Sequence, residues 1–276
     1  MRWPLALLIL TACEGAATSP RQPTLPDAGT PPAEAWRLTW SDEFEGPAGT
    51  ALDPTRWVFD VGGDGWGNEQ LEFDTDRTEN AALDGDGHLA ITARREAFGG
   101  REFTSARITT QGLFAQQYGR FEARMRLTRG QGMWPAFWLL GANIDQVGWP
   151  TCGEIDVMEA RGQQPAQSTG AVHGPGYAGG RSLYGAYDAD QDLSDDFHVF
   201  SVEWDADGIV WQVDGVPFHR VYPTSVPLDA PWAFDHPFFI ILNLAVGGTY
   251  LGPPDGSTPF PQALLVDYVR VYERAP

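Results

Sequence analysis

Residues 153–159 have the sequence Gly-Glu-Ile-Asp-Val-Met-Glu and place three carboxylates in an otherwise apolar run. The run has the character of a β-strand, in which successive side chains alternate between two faces. Alternation puts Glu154 and Asp156 on one face, whereas Glu159, five positions after Glu154, falls on the other. One extra residue bulged out of the ladder near Met158 would restore the phase. We therefore predict a bulged strand that presents all three carboxyls on one surface.

Three carboxyls on one surface favour a particular chemistry. Two carboxyls about 5–5.5 Å apart are the arrangement of a retaining glycosidase, in which one is the nucleophile and the other is first an acid and then a base. We assign Glu154 as the nucleophile and Glu159 as the acid/base. Asp156 between them would hydrogen-bond the nucleophile, and its charge would keep Glu159 protonated. The alternative is a polar edge strand with three exposed acids.

Tryptophans flank the acidic strand. Trp134 and Trp138 precede it in the run MWPAFWLL, and Trp149 leads directly into it. An indole offers a flat apolar face for sugar C–H groups and an N–H for a hydroxyl. Core packing is the alternative for each of them. Asn68, in the Gly-rich stretch WGNEQ, is a candidate for orienting sugar hydroxyls, with a plain turn residue as the alternative.

The run EIDVME, preceded by WPAFW, resembles glycoside hydrolase family 16, and within it the laminarinase-like endo-β-1,3-glucanases. Further segments that match in order and spacing are SDEF at 41–44, WGNE at 66–69, VHGPGY at 172–177, LNLAVGG at 242–248 and VDYVRVY at 266–272. The resemblance runs from about Trp40 to Tyr272.

The resemblance implies a role for each matching residue. Glu154 matches the family nucleophile, Asp156 the assisting carboxylate and Glu159 the acid/base. The positions that line the glucan cleft in the family are matched here by Asn68, Trp134, Trp138 and Trp149. His173 matches a histidine close to the acid/base side of the cleft, and a buried histidine without a chemical role is the alternative.

The two residues between Asp156 and Glu159 bear on the substrate. Family members that cut mixed-linkage β-1,3-1,4-glucans in the lichenase manner have one residue fewer here, so the resemblance favours the laminarinase type. Agar- and carrageenan-cleaving relatives also carry the bulge, but a sulfated polyanion would favour a concentration of basic side chains. This chain has no lysine and a formal net charge of −19, so a neutral β-glucan fits better. The acidity also argues against nucleic acid and anionic membrane surfaces as partners.

Three functions are consistent with these residues. The first is an endo-hydrolase of β-1,3 linkages, and the second is a transglycosylase, because a sugar hydroxyl can intercept the same covalent intermediate instead of water. The third is a non-catalytic β-glucan-binding module, which the presence of both glutamates disfavours. The Gly- and Tyr-rich residues 176–192 are our candidate for one cleft wall, with Tyr177 and Tyr184 as contacts for long glucans.

Alternating patterns predict an all-β fold. Residues 89–94 and 120–127 alternate apolar and polar side chains, and Asp-Gly pairs at 86–87, 207–208 and 214–215 have the chemistry of hairpin turns. This indicates two antiparallel sheets packed face to face. The family resemblance sharpens the prediction to a concanavalin A-like β-jelly-roll sandwich with a concave substrate cleft.

The N-terminal region differs from the rest. Residues 1–12 are predicted to be a signal peptide, because their apolar stretch is too short to span a bilayer. The sequence LTAC ending at Cys13 resembles a bacterial lipobox, so that Cys13 would carry a lipid; an ordinary secretory signal is the alternative. Residues 13–35, rich in Pro, Ala and Thr, are typical of a disordered tether, and 36–276 form the predicted catalytic domain. We expect an exported monomer, lipid-anchored to the bacterial cell envelope or secreted.

Two smaller expectations concern a thiol and a metal. If Cys13 is lipidated, Cys152 has no disulfide partner and is expected to be a small buried hydrophobe rather than a nucleophile. The resemblance implies a structural calcium site on the convex side, with the carboxylate of Asp267 and backbone oxygens of Glu45 and Gly87 as ligands. The alternative is that Asp267 is simply a polar residue on the final strand. No nucleotide, haem or zinc pattern is present, so no cofactor is expected for catalysis.

Overall fold

The structure is a computed structural model that describes residues 36–275. The predicted signal peptide, the lipidation site at Cys13 and the tether lie outside the described residues and stay predictions, as does the boundary of the catalytic domain. Between residues 36 and 275 no helix is both long and apolar enough to cross a membrane.

Strands dominate the described residues. In chain order they are β1 Trp36–Asp42, β2 Val58–Phe59, β3 Glu72–Asp74, β4 Ala81–Leu83, β5 Leu89–Phe98, β6 Arg101–Ser105, β7 Arg107–Thr109, β8 Gly119–Arg126, β9 Met133–Gly141, β10 Glu154–Glu159, β11 Gln167–His173, β12 Leu183–Asp188, β13 His198–Asp205, β14 Gly208–Val213, β15 Val216–Val221, β16 Phe238–Val246 and β17 Gln262–Arg274. The helical segments are the short helix α1 Ile144–Val147 and the 3₁₀ turns Gly179–Arg181 and Pro223–Ser225.

The strands form two sheets. The larger has ten strands, with the order β15-β14-β13-β8-β17-β5-β6-β3 and with β1 and β4 paired to β17 and β5. The smaller has seven strands in the order β12-β11-β10-β9-β16-β7-β2. Neighbouring strands run antiparallel, apart from the parallel pair β3 and β6. The predicted all-β sandwich is therefore confirmed, with one parallel pair that the sequence did not indicate.

The core lies between the sheets and follows the predicted alternation. Phe121, Ala123 and Met125 of β8 are fully buried in it. The smaller sheet contributes Phe137 and Leu139 of β9 to the same cluster. Each large apolar side chain removed from water contributes roughly 1.5–3 kcal/mol before the entropy of ordering is counted. The shared core therefore fixes which face of each sheet points inward.

The predicted hairpin turns are also present. Asp214 and Gly215 connect β14 to β15 with φ values of 50° and 76°. Two central residues with positive φ form a turn whose twist matches the twist of the flanking strands, and an Asp-Gly pair adopts it at low cost.

The outer face of the seven-stranded sheet carries the candidate site. Since Phe137 and Leu139 point into the core, Trp138 between them points the opposite way. We call the face of this sheet that bears Trp138 the cleft face.

Candidate active site

A bulge in β10 places the carboxyls on the cleft face. Asp156 pairs with Trp138 of β9, and Glu159 pairs with Ala136, so the register shifts by one residue between Asp156 and Met158. Trp138 and Ala136 are two positions apart and share a face, and their strand partners share it with them. The predicted bulge is confirmed.

The residues between the acids show the consequence of the bulge. Glu154 precedes Asp156 by two positions and shares its face, whereas Ile155 enters the core. Val157 and Met158 are both buried in that core, although they are consecutive in the chain. The extra inward residue returns Glu159 to the face of Glu154.

Glu154 is held by a tryptophan from the preceding loop. The indole N–H of Trp149 donates to Oε2 of Glu154 at 2.8 Å. The ring of Trp149 is half exposed, which leaves one indole face available to a ligand. A hydrogen bond to the ionised carboxylate favours the charge that a nucleophile needs.

Glu159 is held by a different indole. Trp134 Nε1 donates to Glu159 Oε1 at 2.9 Å. The Trp134 ring packs against Tyr250, with centroids 4.9 Å apart, and the guanidinium of Arg161 lies 3.9 Å from the Tyr250 ring centroid. The acid/base candidate is thus fixed by a tryptophan that is itself packed in place.

His173 joins the nucleophile end of the site. Its Nε2 lies 3.0 Å from Asp156 Oδ2 and 3.8 Å from Glu154 Oε1. The backbone N–H of Gly179 donates to His173 Nδ1 at 3.0 Å, so Nδ1 is the acceptor and Nε2 carries the proton that faces the acids. The expectation that His173 lies near the acid/base side is wrong. In the antiparallel register the last residue of β11 pairs with Glu154, the first residue of β10.

Burial raises the pKa of all three carboxyls, to about 8 for Glu154, about 7 for Asp156 and about 8 for Glu159. The charge of Asp156 adds to the rise for both glutamates, and the indole N–H bonds oppose it. Asp156 lies within hydrogen-bond reach of Glu154, so one proton can be shared between them. Double displacement requires that this proton lie on Asp156, because Glu154 must be ionised while Glu159 remains protonated.

An arginine that sequence reasoning missed lies on the cleft face beyond β9. The guanidinium of Arg107 is 4.6 Å from the ring centroid of Trp66 and 4.8 Å from that of Trp138. Its Nε donates to Asp60 Oδ2 at 2.9 Å, and Trp138 Nε1 donates to Asn243 Oδ1 at 2.8 Å. We call Trp66, Arg107 and Trp138 the stacked platform. It continues the row of carboxyls with flat surfaces and hydrogen-bonding groups.

The backbone of Asn68 lies close to Gly248 and Thr249, next to Trp134, which bonds Glu159. Its carbonyl accepts the N–H of Thr249 at 2.8 Å. A Cβ on Gly248 would lie 3.0 Å from that carbonyl oxygen and 3.2 Å from the Trp134 ring, and Gly248 has a φ of +97°. Only glycine fits there without strain, so the GG pair of the LNLAVGG segment brings the Asn68 loop against Trp134.

Comparison with known proteins now decides the family. The sequence profile of the Glycosyl hydrolases family 16 matches residues 68–259. The chain belongs to this family. It is 43% identical over 254 residues to a beta-glucanase of Rhodothermus marinus, covering 87% of this chain and 86% of the relative. It is 41% identical over 230 residues to a glucan endo-1,3-beta-glucosidase of Cryptopygus antarcticus, covering 79% and 83%.

Solved structures agree with this assignment. The laminarinase catalytic domain of Thermotoga maritima superposes with a TM-score of 0.83 at 46% identity, covering 88% of this chain and all of that domain. The endo-beta-1,3-glucanase of Pyrococcus furiosus also gives 0.83, at 44% identity, with 87% and 95% covered. The predicted jelly-roll fold of family 16 is thereby confirmed.

Of the two tyrosines predicted for the cleft wall, Tyr184 is exposed and Tyr177 is buried. The prediction that Tyr177 contacts the glucan is wrong, because its side chain is buried in the core and its hydroxyl donates to the carbonyl of Pro231 at 3.0 Å. Tyr184 is 68% exposed on β12, at the edge of the cleft sheet. The prediction that Cys152 is a buried hydrophobe rather than a nucleophile is confirmed, since Cys152 is fully buried and burial raises the pKa of its thiol to about 11.

Two of the three expected calcium ligands, Glu45 and Gly87, lie close together in the structure. Gly87 and Glu45 are neighbours, since a Cβ on Gly87 would lie 3.8 Å from Glu45 Oε1. Asp267 sits where β17 is bulged against β8, and its Oδ2 accepts Nη1 of Arg124 at 2.7 Å. A guanidinium thus already supplies positive charge to the one carboxylate of the set, and calcium stays a prediction.

A second donor set lies within the active site itself. Glu154, Asp156 and His173 offer ligand atoms within 4.8 Å of one another. Two carboxylates and an imidazole form a set that a divalent transition metal could use. The shared proton described above fits the same atoms without an ion.

Proposed function

We propose that this protein is an endo-β-1,3-glucanase that hydrolyses internal bonds of laminarin-type β-glucans with retention of configuration. One observation carries the proposal: the bulge in β10 brings Glu154 and Glu159 to one face, each with its own indole N–H donor. The family membership and the laminarinase relatives support it. No cofactor takes part in the reaction.

The reaction follows from the protonation states of the site. Glu159 gives its proton to the glycosidic oxygen while the Glu154 carboxylate attacks the anomeric carbon, so the leaving sugar departs with a new hydroxyl and a glycosyl ester forms. Glu159, now ionised, takes a proton from water, and that water attacks the same carbon and releases Glu154. Asp156 keeps the shared proton and donates a hydrogen bond to Glu154, which stabilises the charged form of Glu154.

Substrate preference can be tested directly on the whole protein. We expect reducing-end release from laminarin to exceed that from barley mixed-linkage glucan and agarose, with several oligosaccharide products rather than a single one. The variant Glu154→Gln should be inactive, whereas the exposed Glu79→Gln should match the parent. Retardation by laminarin in an affinity gel without hydrolysis would instead support a binding module.

The two glutamates can be told apart by rescue with azide. In Glu154→Ala, azide can fill the space of the nucleophile and should give an α-glycosyl azide in one displacement from an activated β-glucoside. In Glu159→Ala, azide should intercept the glycosyl ester on Glu154 and give the β-azide. The opposite pair of anomers would exchange the roles that we assign.

Export is a separate proposal, and it rests on the N-terminal sequence alone. We propose that the protein acts outside the cytoplasm as a monomer, attached through a lipid on Cys13 or released. Mass spectrometry of the mature N-terminus, with Cys13→Ser as the control, would distinguish lipidation from simple secretion.

A further inference from the structure

Two buried carboxyls outside the active site lie behind the stacked platform. Glu72 and Asp74 are two positions apart on β3 and therefore share a face. In the parallel register Glu72 pairs with Phe103, whose ring belongs to the core. Both acids consequently point between the sheets, and they are 1% and 2% exposed. Buried acids of this kind persist in folds only when something compensates for lost hydration.

Each acid uses one oxygen to hold a different part of the cleft. Asp74 Oδ2 accepts the indole N–H of Trp66 at 2.8 Å. Glu72 Oε2 accepts the backbone N–H of Val246 at 2.8 Å, at the end of β16. Trp66 is the outer ring of the stacked platform, and Val246 leads into the glycines that approach Asn68. The pair thus ties the Trp66 loop to β16.

The other oxygen of each acid has no partner. Glu72 Oε1 and Asp74 Oδ1 are both buried, and no described residue donates a hydrogen bond to them. An unpaired buried acceptor costs about 1–3 kcal/mol, and two adjacent carboxylates repel. A proton kept on one of the two carboxyls would remove the repulsion between them.

The surrounding charges say which acid keeps the proton. Arg107 of β7 is the cation that acts on Asp74, and Asp60 after β2 opposes it. Glu72 faces the charge of Asp74 and the backbone N–H groups of Leu71, Glu72 and Val246. Ser105 of β6, next to Asp74, cannot ionise. The negative charge is therefore better placed on Asp74, beside the indole N–H and the guanidinium.

We propose that Glu72 and Asp74 are a pair of positioning residues in which Glu72 keeps its proton and stays neutral beside charged Asp74, and Asp74 holds Trp66 and the stacked platform in place for the glucan. The inference rests on the proposed function. It assigns no chemistry to the pair and predicts an effect on glucan binding.

The direction of the pKa shifts is consistent with a retained proton. Burial, together with the charge of Asp74, raises the pKa of Glu72 well above its ordinary range, and burial raises that of Asp74 to about 7. A carboxyl whose pKa is raised in the folded state lowers stability as pH rises from its unfolded value through its folded value. Alkaline pH should remove the proton, and the two charges should then push the Trp66 loop away.

Kinetics on laminarin should separate positioning from catalysis. Asp74→Asn removes the charge that orients Trp66 and should raise KM about five- to tenfold while changing kcat less than about twofold. Glu72→Gln is neutral at every pH, so the rise of KM at alkaline pH that we expect of the parent should be lost in this variant. The exposed acids Asp76→Asn and Glu79→Gln are matched controls.

The link to Trp66 can be tested by a double-mutant cycle. Trp66→Phe removes the N–H that Asp74 accepts, so its effect on KM and that of Asp74→Asn should be strongly non-additive. Additive effects, or a lowered Tm with unchanged KM in Asp74→Asn, would reduce the pair to a purely structural role and overturn the proposal.

A stability measurement keeps the inference separate from enzymatic activity. The Tm of the parent should fall between about pH 6 and pH 9 by more than the Tm of Glu72→Gln, because the variant has no proton to lose at this position. Equal pH dependence would overturn the retained proton on Glu72 even if laminarin is cleaved. A Ca²⁺-dependent rise in Tm that Glu72→Gln abolishes would mean that a cation rather than a proton compensates the two carboxyls, and it would overturn the proposal. If laminarin is not cleaved but the Tm result holds, only the proposed function fails.

Discussion

Trp134 and Glu159 are joined by an indole N–H bond of 2.9 Å, which links the packing of the cleft to the protonation of its acid. This bond lowers the pKa of Glu159 against the larger effect of burial. A hydrogen bond worth about 1 kcal/mol corresponds to about 0.7 of a pKa unit.

Removing this donor should move the alkaline limb of the pH profile. In Trp134→Phe the pKa of Glu159 should rise, so kcat/KM should fall at a pH about 0.7 unit higher than in the parent, with a lower plateau. Trp138→Phe is the control, because its N–H bonds Asn243 instead of a carboxyl. An alkaline limb that shifts equally in both variants would mean that Glu159 does not control it.

The raised pKa values of the active-site acids also predict a cost in stability. Glu159 is protonated more readily in the folded than in the unfolded chain. Its contribution to the free energy of unfolding therefore falls as pH rises from about 4.5 through about 8. Glu159→Gln should therefore raise the free energy of unfolding by about 2 kcal/mol near pH 8 and change it little near pH 4, where the acid is protonated in both states. Glu79→Gln, on the surface, should show neither effect. Denaturant unfolding at the two pH values measures it, and a gain of equal size at both would contradict this explanation.

Arg107 should matter through its flat shape as well as its charge. Its guanidinium lies between two indole rings, an arrangement that a lysine ammonium cannot reproduce. Arg107→Lys should raise KM for laminarin about tenfold and leave the hydrolysis of a short activated glucoside nearly unchanged. Arg95→Lys provides a matched control, because Arg95 stacks on Phe103 and Phe260 away from the cleft. A similar loss in both variants would indicate general destabilisation.

The sequence was sufficient for the bulge and the sandwich because both depend on local spacing. The five-residue step from Glu154 to Glu159 conflicts with alternation, and a single extra residue resolves the conflict. The apolar positions of β8 likewise specify which face is buried. The family resemblance then supplied the order of the remaining segments.

What the sequence could not supply depends on pairing across the sheet. Arg107 meets Trp66 and Trp138 only because β7, β9 and the loop before β3 converge on one face. The alternating acids of β3 look like the exposed face of a strand, yet Glu72 and Asp74 point inward. Without the register, neither the stacked platform nor the buried pair could be predicted.

Strand register also decides which tyrosine after His173 can contact a glucan. Tyr184 pairs with Ala171, and Ala171 pairs with Asp156, so the three lie in one row across the cleft face. Strands are about 4.8 Å apart, which puts Tyr184 roughly 10 Å from Asp156, on the side opposite Trp138. The small side chain of Ala171 leaves room between them for a sugar ring.

Tyr184→Ala should therefore weaken binding at the end of the cleft opposite the stacked platform. We expect KM for long glucans to rise about three- to tenfold, Tm to stay unchanged, and transfer to added oligosaccharide acceptors to decrease relative to hydrolysis. Tyr177→Ala should instead cost about 3–5 kcal/mol of stability, because it empties a core position and removes the hydrogen bond to Pro231. Tyr222→Ala, a change at another exposed tyrosine, should do neither. Measurements of KM and Tm on all three variants test whether Tyr184 binds glucan. A KM that rises in Tyr184→Ala only in proportion to lost stability would show that Tyr184 does not contact the substrate.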